Sequence, residues 1–392
     1  MIYIYAGFYV FIIFWLSLKI RDKVLRLLFF ISGAITLGLC FLSLKITLPF
    51  SGADALVFER LAWAWSQGSF TEVLSTFDPS KSYLISSITA VFYYFNGREP
   101  FIPTIINGAL GVFIVYFSLK LFNEVWGKEA PRKLLFFLLV AFSPMLTINS
   151  AIILRENYIA LFILLATINL AKFANTGNKL SAVFFVVFTL ISSFFHGGTI
   201  LYILGLPLYF LFSKGAMSNT AKVFWVFLFF AIFAVLLNYM EFGKIKEIQE
   251  GGISAEDMAE RLQNIQDANT TYLSGLIPSN AFDILWQTPI RALFFLTKPF
   301  IWDIRAFGHA IAFVDALIWI FILFTIYKNR KAIYANPAAL AILSCCVIAV
   351  FVFAYGTSNY GTAIRHRTKF YVEMLVLAAP FFIAFRFKGF KR

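Results

Sequence analysis

Long apolar runs separated by short polar connectors set the pattern of this chain. Runs of about 17–25 apolar residues are long enough to cross a bilayer as helices. They are predicted near 2–19, 27–48, 101–122, 133–150, 157–173, 180–195, 199–213, 222–240, 306–327, 337–355 and 369–386, about eleven spans in all. Two further stretches, 55–66 and 82–95, are too polar or too short to span and are predicted as interfacial or re-entrant helices. The expected fold is an all-α, polytopic transmembrane helical bundle forming one integral membrane domain over 1–392. An outer loop at 49–100 carries the interfacial helices, and a second, larger outer loop covers 241–305. The first apolar run lacks a basic n-region and a small-residue cleavage site, so it is expected to be a retained helix.

Composition agrees with this pattern. The chain is 60% hydrophobic and 14% charged, whereas soluble domains have about 45–50% and about 25%. A net charge of +13 points toward nucleic acid only until the basic residues are located. They fall in short clusters between apolar runs, which is a topology signal, and no nucleic-acid partner is expected. One set of connectors holds Lys19, Arg21, Lys23 and Arg26, then Lys120, Lys128, Arg132 and Lys133, then Lys172, Lys179, Lys214 and Lys222. Lys328, Arg330 and Lys331, and the C-terminal Arg386, Lys388, Lys391 and Arg392, complete it, against only Asp22, Glu124 and Glu129. The positive-inside rule places this set in the cytoplasm, with the N-terminus outside and the C-terminus inside. Cys40, Cys345 and Cys346 lie within apolar runs and read as packing residues. The three histidines are dispersed, so neither a metal nor another cofactor is expected. No internal repeat is evident, which weakens an inverted-repeat transporter reading.

Candidate chemistry gathers on the outer side. Asp54 follows the second span in SGADALVFERLAWAW and is either a helix cap or a base for a substrate hydroxyl. Arg155 and Glu156 open an apolar helix in NSAIILRENYIA, as an interfacial ion pair or as residues facing a substrate. His196 ends a span just before Gly197–Gly198, as a turn residue or a catalyst. Arg291, Lys298 and Arg305 stand among aromatics, either as an interfacial anchor or as a cationic wall toward an anionic lipid carrier. Asp315 lies inside a span, as a structural partner to another helix or a proton-coupling acid. Finally Arg365, His366, Arg367 and Lys369 crowd an outer helix start. Such a cluster runs against the charge rule and reads as a phosphate or diphosphate site, or as partners for outer-face acids.

This layout resembles the oligosaccharide repeat-unit polymerases of the Wzy and EpsG-like group. The features that carry the likeness are two N-terminal spans followed by Gly52 and Asp54 as an outer G-x-D motif, and Arg155 opening ILRENYIALFILLATINLAKF. His196 in FFHGGTILYILGLPLYF and an Arg- and Tyr-containing C-terminal span complete it. The pattern is also similar to integral-membrane glycosyltransferases of the GT-C class, in which an outer-loop Asp, here Asp54, activates the acceptor. The resemblance implies a bacterial inner-membrane enzyme that joins polyprenyl-diphosphate-linked repeat units on the outer face, building O-antigen, capsule or exopolysaccharide. It implies a lipid-linked glycan donor and acceptor, contact with membrane lipids, and a flippase and chain-length regulator as partner proteins. Arg155, Arg365 and Arg367 would hold the diphosphate, with Arg291 as a further contact. Asp54 or Glu156 would activate the acceptor hydroxyl, with His196 and His366 as rivals. The alternatives are a GT-C enzyme adding one sugar from a polyprenyl-phosphate donor, and a transporter or flippase for a lipid-linked sugar.

Overall fold

The computed structural model describes residues 2–78, 83–213, 218, 220–225, 227–228, 231, 270–276 and 281–382. The predicted span at 222–240 falls mostly outside these residues. So do 241–269 of the large outer loop and everything after 382.

Among the described residues the regular structure is helical, with no strand and one isolated bridge between Thr271 and Asn359. Among the described residues five helices are long and apolar enough to cross a membrane. They are α2 (Lys23–Ser43), α6 (Phe101–Trp126), α9 (Glu156–Thr176), α13 (Phe307–Lys328) and α15 (Pro337–Tyr355). Shorter apolar helices accompany them, namely α1 (Ile2–Ser17), α5 (Leu84–Asn96), α10 (Lys179–Phe195), a 3-10 turn running into α11 (Gly205–Phe212), and α17 (Tyr371–Ala378). The remaining helices are α3 (Gly52–Trp65), α4 (Phe70–Ser75), α7 (Lys133–Ala141), α8 (Pro144–Asn149), α12 (Ala281–Thr297), α14 (Arg330–Ala335) and α16 (Tyr360–Thr368).

The 26 residues of α6 make a rod about 39 Å long, enough to span the hydrocarbon with ends to spare. It is buried on most of its circumference, against α1, α2 and α9, which explains why its sequence shows no polar face. Helix α9 then packs on α10 and α15, and α15 on α11 and α12. The single span predicted at 133–150 is two short helices. Ser143 caps α8 by accepting from the Leu146 amide, and Pro144 sits in its first turn, where a continuing helix would require an amide donor. Hydropathy averages across such a break.

The stretches predicted as interfacial or re-entrant helices at 55–66 and 82–95 form α3 and α5, which lie against each other. Ser86 donates to the Phe58 carbonyl at 2.9 Å. Buried Glu59 accepts from Arg98 at 2.8 and 2.9 Å and from the Tyr93 hydroxyl at 3.2 Å.

The bundle has two chemically different ends. At one end Lys120 feels the charges of Lys19 and Lys172. Asn175 and Asn336 tie the end of α6 to neighbouring helices through the carbonyls of Glu124 and Val125, at 2.9 and 2.8 Å. The other end gathers the start of α3, the start of α9, the end of α10 and all of α16.

Candidate functional site

The site begins with an unwound piece of backbone. Residues 150–155, between α8 and α9, are not helical, and a non-helical segment inside a bundle must find internal partners for its carbonyls. Fully buried Asn107, in the second turn of α6, supplies them by donating through Nδ2 to the carbonyls of Ile152 and Leu154. Asn157 completes the brace, donating to the Asn107 carbonyl at 3.1 Å and to Ser150 Oγ at 2.9 Å. Gly111 lets the segment approach, because a Cβ there would lie 2.1 Å from Ser150 Oγ. Gly111→Ala is therefore expected to lower stability by about 1–3 kcal/mol, read as a fall in the unfolding temperature of the purified protein. An unchanged melting curve would show that the brace yields freely. The segment delivers Arg155 to the start of α9.

Arg155 arrives beside residues far away in sequence. Arg365 Nη1 donates to Asp54 Oδ2 at 2.7 Å, joining α16 to α3. The Asp54 side chain is 53% exposed and the Arg365 side chain 16% exposed, so the carboxylate faces outward while the guanidinium forms the wall behind it. Arg155 is within electrostatic reach of Asp54, Arg365 and Glu156, and its guanidinium lies 5.9 Å from the Phe58 ring centroid. Desolvation pulls the Arg155 guanidinium below its ordinary value, and Arg365 adds to this, while Glu156 and Asp54 oppose it.

Below the arginines stand two histidines. The rings of His196 and His366 meet edge to face at 5.2 Å. Phe353 packs against both, at 5.3 and 4.8 Å, and carries Lys369 Nζ 4.7 Å above its own ring. His366 lies well below the usual histidine pKa, chiefly because it is desolvated and further because Lys369, His196, Arg365 and Arg155 repel its charged form. These effects disfavour its protonated form, and its Nδ1 is buried with no hydrogen-bond partner among the described residues.

The crowded run from Arg365 to Lys369 does not act as one patch. Asn359 caps α16 by accepting from the amides of Gly361 and Thr362, and along a helix residues two apart point roughly 200° from each other. Arg365 therefore faces Asp54, while Arg367 points into the bundle. There it donates to the carbonyls of Phe295, Leu296 and Lys298, at 3.2, 2.9 and 2.8 Å, and to Asp315 Oδ2 at 2.6 Å. It satisfies the end of α12, whose last carbonyls have no helical donor. This corrects the expectation of a diphosphate contact at Arg367. Asp315 correspondingly has the structural role of the two considered for it. Glu156 is buried, with Oε2 unpartnered among the described residues. Arg291 has other neighbours, donating to the Leu276 carbonyl and lying 5.8 Å from the Tyr355 ring.

The structure thus brings Asp54, Arg155, His196, Arg365 and His366 to one recess, with Glu156 beside them, and separates Arg291 and Arg367 from it. The sequence reading missed Asn107, Asn157 and Phe353. An asparagine pair in or beside apolar spans was the available signal, since a polar side chain at that depth needs a specific partner. The recess offers two guanidinium groups for an oxyanion, an outward carboxylate, and an imidazole whose protonated form is disfavoured. Among the described residues no three His, Cys, Asp or Glu side chains cluster as metal ligands do. No family model, curated protein or solved structure matches the chain.

Proposed function

We propose that this chain is a membrane glycosyltransferase that joins polyprenyl-diphosphate-linked oligosaccharide repeat units on the outer face of a bacterial inner membrane. The observation that supports the reading best is the contact between Asp54 and Arg365 beside Arg155 and the histidine pair. It lies at the end of the bundle opposite the basic connectors, which in this reading is the outer end by the positive-inside rule, on the same side as the N-terminus.

In this reading an acceptor sugar hydroxyl attacks the anomeric carbon of the donor glycan. The new glycosidic C–O bond forms as the bond from that carbon to the lipid diphosphate breaks, and the diphosphate leaves with the electron pair. Arg155 and Arg365 stabilise the negative charge that grows on the leaving oxygen, work that cationic donors do best in a desolvated site. The hydroxyl proton passes to Asp54, whose carboxylate Arg365 orients, or to His366. Glu156 and His196 are alternative acceptors of that proton. No nucleotide is needed, because the lipid diphosphate is already a stable leaving group.

The deciding experiment is glycan length in a strain lacking this chain, complemented with wild type or with Asp54→Asn at equal membrane levels. Single repeat units in the deletion strain, a restored ladder with wild type and a severely reduced ladder with Asp54→Asn are expected. Full-length glycan lacking one sugar or branch in the deletion strain would replace the polymerase by a single-sugar transferase. Lipid-linked units trapped on the cytoplasmic face would point instead to a flippase.

A further inference from the structure

Arg291 poses an electrostatic problem that the transfer recess does not solve. It is 1% exposed, and the ionisable groups that act on it are the hydroxyls of Tyr355 and Tyr272. No carboxylate among the described residues pairs with it. One of its nitrogens, Nη2, donates to the Leu276 carbonyl. Nε and Nη1 have no hydrogen-bond partner among the described residues, which leaves three N–H donors unclaimed. A buried guanidinium with neither counter-charge nor full hydrogen bonding is expensive and calls for a compensating anion.

The neighbourhood is built from other groups in the same state. Gln287 lies one turn before Arg291 on the same face of α12, is 3% exposed, and leaves Oε1 unpartnered. Thr357 and Ser358, just after Tyr355, are 2% and 6% exposed with both hydroxyls unpartnered. Tyr272 links these residues to Arg291. Its hydroxyl donates to the Thr357 carbonyl at 3.1 Å, and its amide donates to the Ser358 carbonyl at 2.9 Å. Its ring stacks on Phe294, three residues beyond Arg291, with centroids 6.1 Å apart.

We propose that Arg291, Gln287, Thr357 and Ser358 form a second anion site that takes one phosphate- or carboxylate-sized oxyanion. The guanidinium N–H groups and the two hydroxyls donate to its oxygens, and Gln287 Oε1 accepts from a protonated phosphate oxygen or an adjoining sugar hydroxyl. Arg365 is not among the ionisable groups that act on Arg291, and none of the four residues is assigned a role in the transfer step, so the site does not depend on the transfer reading. Two sources carry such a group, a lipid phosphate and an acidic sugar.

The test is thermal unfolding of the purified full-length protein in uncharged detergent, titrated with inorganic phosphate at constant ionic strength against chloride. Phosphate should raise the unfolding temperature of wild type and of Arg365→Gln, because a ligand held only by the folded state stabilises it. Arg291→Gln should lose that shift, and Thr357→Val, which keeps the charge, should weaken apparent phosphate affinity about tenfold. If Arg291→Gln does not fold, Thr357→Val decides. A shift as large with chloride, or one unchanged by Thr357→Val, overturns the proposal. A shift abolished by Arg365→Gln and kept by Arg291→Gln also overturns it while leaving the transfer recess intact. Geranyl phosphate and glucuronate titrated in the same way separate the two sources. The one whose stabilisation needs Arg291 names the ligand, and stabilisation by neither through Arg291 counts against the site.

Discussion

Arg365→Gln is expected to cut polymer formation by about 100-fold or more while the protein still folds and reaches the membrane. The magnitude follows from losing one preorganised donor to a developing oxyanion, worth about 10²–10³ in rate. The substitution also frees Asp54, whose outward carboxylate would no longer be held in place. Stability should change little, because an ion pair with one half-exposed partner contributes at most about 1 kcal/mol. That separation makes the experiment informative. Arg365→Lys should recover only part of the activity, since an ammonium keeps the charge but lacks the planar fork that holds Asp54 and an oxyanion together. The measurement is the rate of ladder extension in membranes matched for protein by immunoblot. A normal rate with Arg365→Gln would remove Arg365 from the reaction. His366 adds a pH signature if it takes the proton. Its charged form is disfavoured by desolvation and by Lys369, His196, Arg365 and Arg155, so activity should persist as pH falls through the ordinary histidine range and decline only below it.

The second large effect concerns folding. Asp315→Ala strands the buried Arg367 guanidinium without its carboxylate, and breaking such a pair costs about 3–5 kcal/mol. That is a large share of the stability of an ordinary domain, so a steep loss of folded, detergent-stable protein is expected. Replacing both partners together, Asp315→Leu with Arg367→Met, should be milder than Asp315→Ala. It removes the uncompensated charge, although it also leaves the carbonyls of Phe295, Leu296 and Lys298 without their donor. The check is the unfolding temperature and the monodisperse yield of each variant. If Asp315→Ala melts like wild type, the pair is not a structural clasp.

These two neighbours on α16 also mark where sequence reading stops. Arg365 and Arg367 are two residues apart in a run of basic side chains, and the linear pattern gives them one role. A helix turns about 100° per residue, so one meets the half-exposed Asp54 and the other meets buried Asp315 in the core. Which is which depends on the rotation of α16, and that rotation is decided by the Asn359 cap and the end of α12. The break at Ser143–Pro144 was legible as residues, yet hydropathy read through it because both halves are apolar.

What the sequence by itself determined is the medium and the general form. Apolar runs of membrane-crossing length, in a chain with few charges, require backbone groups to be satisfied within helices. An all-helical bundle follows from local composition, but that reading placed about eleven spans, whereas five of the described helices are long and apolar enough to cross. The sequence also marked Asp54, Arg155, His196, Arg365 and His366 as candidate site residues, together with Glu156, Arg291 and Arg367. Only the tertiary structure decided that the first five meet. The contact between Asp54 and Arg365 spans 311 positions, and no local period or propensity encodes a distance of that kind. It arises from the packing of α6 against α9, from Asn107 holding the unwound segment that presents Arg155, and from the rotation of one nine-residue helix.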